Sequence, residues 1–146
     1  MRSGTLQVLG AIAYAFVVLR VAAWLPAESG LAAVILVTGV VGVVGNAAYG
    51  FDAIHQSFGD VELVDRSGAA NLIKPLGLFV PISFALIALA LAKLGRRPQG
   101  LLVLVAAVLW PIAHIANLGP VAVITNVGLV VAFGSLVWSP PSSTAT

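Results

Sequence analysis

The chain has no cysteine, and it carries only seven Lys+Arg and five Asp+Glu among 146 residues. Without cysteine there is no disulfide, no thiolate metal site and no Cys nucleophile. Charged residues make up 8% of the chain, where a soluble domain carries about a quarter. So few charges cannot cover a water-facing surface. That excludes an ordinary soluble enzyme, a disordered tail and a nucleic-acid binder. The net charge of +2 does not reverse the last exclusion, because the few basic residues sit at the ends of apolar runs rather than in a patch. Also missing are a GxxxxGK[ST] phosphate loop, a GxSxG nucleophile elbow and any HxxH or HExxH metal spacing.

What is there is hydrophobic: 60% of the residues, gathered in long runs. Crossing a bilayer takes roughly 20 apolar helical residues. The runs Leu6–Leu25, Leu31–Gln56, Leu76–Leu94, Leu101–Leu118 and Val121–Trp138 meet that length or come close to it. Open sheet edges cannot face lipid, and no period-two alternation suggests a barrel. The predicted fold is an all-α membrane protein: a five-helix transmembrane bundle over residues 1–138, then a short disordered tail over 139–146. Gly119-Pro120 predicts a tight hairpin between helices four and five.

The first run is longer than the roughly 7–15 residues of a signal sequence, and Leu25-Pro26-Ala27 is a poor cleavage site. It is therefore expected to remain as a span. Lys93, Arg96 and Arg97 form the densest basic cluster, which reads as a cytoplasmic topology determinant or a seat for lipid phosphates. That places the N-terminus outside and the C-terminus inside. Arg20 then snorkels to the cytoplasmic interface, and Trp24 and Trp138 mark the same boundary. Arg2, Arg66 and Lys74 count against this orientation. The polar stretch Ser57–Lys74, with Asp60, Glu62, Asp65 and Arg66, reads either as an interfacial amphipathic element or as a solvated loop.

Gly39, Gly42 and Gly45 recur at spacing three on the second helix. Small residues let helices approach closely where water no longer drives association, so this face predicts a close-packed neighbour, in the same chain or in another subunit. Pro81 and Pro111 predict kinks in the third and fourth helices.

Ionisable groups inside a span cost about 2.5–3.5 kcal/mol at its centre and mark function by default. Asp52 and His55 lie within one turn on the second helix, with Tyr49 extending the Asp52 stripe. Trp110, His114 and Asn117 share a face of the fourth helix, and Asn126 sits at a similar depth on the fifth. The second and fourth helices run the same way, which predicts a polar cluster of Tyr49, Asp52, His55, His114, Asn117 and Asn126 in one half of the bundle. Three readings fit it. The cluster glues helices by hydrogen bonds; it binds a small ligand, a lipid headgroup or a proton; or His55 and His114 ligate a b-type haem. A metal site of two His and Asp52 lacks a supporting spacing.

The segment Lys93-Leu94-Gly95-Arg96-Arg97-Pro98-Gln99-Gly100, followed by the apolar run to Leu118 with Trp110-Pro111 and His114, resembles the closing half of small uncharacterised bacterial multi-span membrane proteins. There a basic turn precedes an apolar helix with a late Pro and a polar residue one turn on. The resemblance covers the last third of the chain and implies a membrane location, without a substrate. The expected protein is a non-enzymatic accessory subunit or a small-ligand- or lipid-binding bundle in a cell membrane. A proton-coupled transport component and a haem-binding subunit are the alternatives. No cofactor is expected; the bilayer, a homo-oligomer or a larger membrane complex are the expected partners.

Overall fold

Long apolar runs leave the backbone one economical way to satisfy its own polar groups without water, which is the helix. The computed structural model describes residues 2–59, 74–116 and 118–138, and every regular element among them is helical. The order is α1 (Arg2–Ala23), α2 (Gly30–Gln56), a 3-10 turn (Lys74–Leu78) running into α3 (Phe79–Lys93), α4 (Arg97–Ile115) and α5 (Gly119–Trp138). Five segments, Gly4–Ala23, Gly30–Gln56, Pro75–Lys93, Arg97–Ile115 and Gly119–Val137, are long and apolar enough to cross a membrane. The polar stretch 60–73, Asn117 and the tail from 139 lie outside the described residues.

The chain punctuates itself by familiar chemistry. α3 ends in a Schellman cap: Gly95 takes φ 76°, its N–H donates to the carbonyl of Ala92 at 3.2 Å, and the Arg96 N–H donates to that of Leu91 at 2.7 Å. Gly at this position avoids the Cβ clash of the left-handed conformation. Two expectations about proline are corrected. Gly119-Pro120 does not separate α4 from α5 but forms the first turn of α5, whose first helical bond runs from Ala122 N to Leu118 O at 3.0 Å. The turn lies upstream, after Ile115, because proline fits a first turn whose N–H groups have no helical partner. Pro81 likewise falls in the first turn of α3 rather than at a mid-helix kink. Pro111 does lie inside α4.

The helices pack in chain order, each against the next, with α1 also reaching α3. The core is small and tight: Val18, Val21, Ile35, Ile87, Leu91 and Val103 are buried among alanines such as Ala90 and Ala132. Large apolar side chains point outward instead, among them Leu6, Leu9, Phe16 and Leu19 on α1 and Val123, Ile124, Val127 and Val130 on α5. A soluble protein rarely exposes continuous apolar surface on this scale.

The glycine face of α2 is filled within the chain. A Cβ at Gly39 would stand 2.5 Å from the Val18 side chain of α1. One at Gly42 would meet the Val80 backbone nitrogen at 3.0 Å, and one at Gly45 the Leu76 carbonyl carbon at 2.6 Å. These contacts also fix levels along the bundle. Gly45 lies beside Leu76, so the last turns of α2 run on past the start of the third apolar segment. Asp52 and His55 sit on those turns.

Candidate functional site

The residues expected to form one polar cluster occupy three places. On α2, Asp52 is buried, with 4% of its surface exposed, and Gln56 one turn later donates from Nε2 to Asp52 Oδ2 at 3.2 Å. Tyr49 covers Gly77, whose added Cβ would come within 3.2 Å of the Tyr49 ring. His55 lies 6.4 Å from the Phe51 ring, nearly parallel to it. On α4, His114 is exposed and turns back onto its own helix. Its ring stacks on Trp110 at 4.1 Å and 19°, with Nδ1 2.8 Å from the Trp110 carbonyl oxygen. Asn126 lines a groove between α5 and α1. Asn117 lies outside the described residues. α2 packs on α1 and α3, while α4 packs on α3 and α5. Shared depth therefore does not make the α2 and α4 residues one site. Among the described residues no group of three His, Asp or Glu is placed to hold a metal ion.

Polar residues inside the bundle mostly settle their bonds locally or in pairs. Thr38 and Thr125 donate to carbonyls one turn back, Val34 O at 2.7 Å and Val121 O at 2.8 Å, which hides a hydroxyl inside a helix. Across helices, Gln7 Nε2 donates to Asn46 Oδ1 at 3.1 Å, Gln99 Nε2 to Ser135 Oγ at 3.2 Å, and the Tyr14 hydroxyl to Ser83 Oγ.

A further space opens away from these residues. α1 and α5 end the row of helices and, with three antiparallel neighbours between them, run in the same direction. Between them a groove of about 790 Å³ opens, within the roughly 300–1,000 Å³ of ligand pockets. One helical stripe leads each wall. On α1 it is Gly10, Ala13, Val17, Arg20 and Trp24; on α5 it is Asn126, Val130, Phe133 and Val137. Val80 and Phe84 of α3 line it between them. The adjacent α5 stripe, Thr125, Leu129, Ala132 and Leu136, is buried. Two of these, Leu129 and Leu136, also line the groove, so the packed face of α5 runs directly into its wall.

Sizes explain why the groove stays open. An added Cβ at Gly10 meets nothing within 4 Å, and the same holds at Gly134, which also lines the groove. The walls are apolar along their middle and polar toward the ends. Asn46, Asn126 and Trp110 stand toward one end, Arg20 and Trp24 toward the other. Lys93, Arg96 and Arg97, at the α3–α4 turn, belong to the Arg20 end of the bundle. Of the groove residues only Asn126 stood out in the sequence as a ligand candidate. The signal that would have found the others is the spacing of Gly10, Ala13, Val17, Arg20 and Trp24, a stripe with small residues at one end and a cation and an indole at the other.

No protein-family model, curated protein or solved structure matches the chain.

Proposed function

We propose that this chain is a small multi-pass protein of a cell membrane, without enzymatic chemistry, whose five-helix bundle holds an amphiphilic molecule in the groove between α1 and α5. The observation that carries the reading is the groove itself: about 790 Å³, apolar along its length and polar at both ends. In a bilayer such a groove opens sideways to lipid. An amphiphile enters it without passing through water and keeps its polar end at the interface. The accessory-subunit reading draws less support. The glycine face that would seat a foreign helix is already occupied by Val18, Val80 and Leu76 of the same chain.

The test is native mass spectrometry of the protein released from detergent, comparing wild type with Gly134→Leu. The wild type is expected to retain a bound amphiphile. The leucine enters open space, so the variant keeps its helix content by circular dichroism and loses the bound mass. A wild type with no retained amphiphile, or a variant that retains it fully, overturns the reading.

A further inference from the structure

Resting on the groove reading, we infer that the occupant is an anionic membrane phospholipid. Its phosphate lies at Arg20 and one acyl chain runs along α1 and α5 away from the basic end of the bundle.

Arg20 lies in the last turn of α1 and is one of the groove-lining residues. Arg20 is exposed, and once lipid surrounds the bundle its guanidinium needs an anion or water beside it. No ion pair with Arg20 occurs among the described residues. Among the described residues, carboxylates are scarce at that level. The chain's acidic residues are Glu28, Asp52, Asp60, Glu62 and Asp65. Of the two described ones, Asp52 falls on the last turns of α2, at the opposite end, and Glu28 in the α1–α2 turn. Among the described residues, Arg20, Lys93, Arg96 and Arg97 share one end with a single carboxylate, Glu28, so four positive charges face one negative charge there. A surface of that sign draws anionic headgroups, and a guanidinium grips a phosphate through two parallel N–H···O bonds.

The apolar wall fits the rest of the molecule. From Trp24 back to Gly10 the α1 stripe is about 21 Å long, and from Val137 back to Asn126 the α5 stripe is about 17 Å, at 1.5 Å per residue. One leaflet of a hydrocarbon core roughly 30 Å thick gives an acyl chain about 15 Å of depth. Trp24 stands one turn from Arg20 on the same stripe, at the position where indoles favour the headgroup boundary. A soluble anion would use Arg20 but leave this wall without a role, and a neutral lipid would use the wall but not the guanidinium.

The experiment offers detergent-solubilised protein an equimolar mixture of phosphatidylglycerol and phosphatidylcholine with identical chains and reads bound masses by native mass spectrometry. Wild type is expected to favour phosphatidylglycerol by about fivefold, the ratio that one basic residue near a lipid headgroup gives. Arg20→Gln is expected to erase that preference while phosphatidylcholine still binds, and Arg20→Lys to keep part of it. Inorganic phosphate added in excess is expected to leave the bound lipid in place; displacement by phosphate overturns the lipid assignment. Equal binding of the two lipids by wild type, or a preference that survives Arg20→Gln and disappears in the Lys93→Gln, Arg96→Gln, Arg97→Gln triple variant, overturns the inference while the groove reading stands. Absence of either lipid overturns both. A dimer without lipid, lost on Gly134→Leu, also overturns both and assigns the groove to a second copy of the chain.

Discussion

The Tyr14 hydroxyl donates to Ser83 Oγ across the bundle, joining α1 to α3 at a point where both side chains are buried. The Tyr14 ring also meets Phe84 edge-on, with centroids 5.2 Å apart and planes at 73°. Few other residues connect these two helices, since α1 leans mainly on α2. The bond therefore sets how α1 stands above α3, and with it one wall of the groove.

Removing either half of that pair leaves the other half buried without a partner. Tyr14→Phe and Ser83→Ala are each expected to destabilise the bundle by about 1–3 kcal/mol, and the double variant by less than the sum, because matched apolar replacements leave no orphan. Reversible unfolding in mixed micelles, run as a double-mutant cycle, measures this. Strict additivity of the two single effects would show that the hydrogen bond contributes nothing.

The glycines of α2 and those of the groove are expected to respond in opposite ways. At Gly45 a Cβ would collide with the backbone at Leu76 and Gly77. Gly45→Ala should therefore cost about 1–3 kcal/mol, as overpacking does, and no neighbouring side-chain substitution should restore it. At Gly39 the obstacle is the Val18 side chain, so Gly39→Ala should be restored in part by Val18→Ala. Gly10→Ala and Gly134→Ala meet nothing and should be neutral or stabilising by up to about 1 kcal/mol, the helical advantage of alanine over glycine. Thermal melts of the five variants side by side separate these outcomes.

Asp52 and His114 should differ although both are ionisable groups near the same end. Asp52 is buried and accepts from Gln56. Asp52→Asn keeps an acceptor oxygen and should fold normally, whereas Asp52→Leu strands the Gln56 amide and should lower stability by about 1–3 kcal/mol. Among the described residues His114 is exposed and bonds within its own turn, so His114→Ala should change stability by less than about 1 kcal/mol. Melting temperatures in detergent check both, and a large effect of His114→Ala would place that ring in a tighter role than its stack on Trp110.

The contrast between these two residues marks what the sequence can and cannot specify. Runs as long as Leu31–Gln56 announce a helix of nearly those limits, because hydrocarbon depth and backbone satisfaction leave little else. Position along the helices is legible in the same way, and the helix limits put Asp52, His55 and His114 toward one end of the bundle. What depth does not contain is azimuth. Whether His114 turns toward α2 depends on which helices become neighbours, and the order of packing puts α3 between α2 and α4. The groove was hidden for a related reason. Arg20 and Trp24 each have a sufficient explanation as boundary residues, and Gly10 and Gly134 look like packing glycines until both are found with open space beside them. The hairpin slipped by a few residues because Gly-Pro serves a helix start as well as it serves a turn.

Those two open glycines provide a length test of the groove. Gly134 lies toward the end that holds Arg20 and Trp24, while Gly10 lies at the far end of the α1 stripe. A Cβ added at either meets nothing within 4 Å. If an acyl chain enters from the Arg20 end and runs toward Gly10, Gly10→Leu shortens the channel and leaves its mouth intact. The bound lipids should then shift toward shorter chains with total occupancy nearly kept, each methylene excluded costing about 0.8 kcal/mol of burial. Gly134→Leu narrows the mouth and should lower occupancy for all chain lengths alike. Competition within a series of phosphatidylglycerols of increasing chain length, read by native mass spectrometry, gives both profiles at once. Reversed profiles, with Gly134→Leu selecting by length and Gly10→Leu blocking entry, would turn the lipid end for end in the groove. Identical profiles would mean that the chain does not lie along α1.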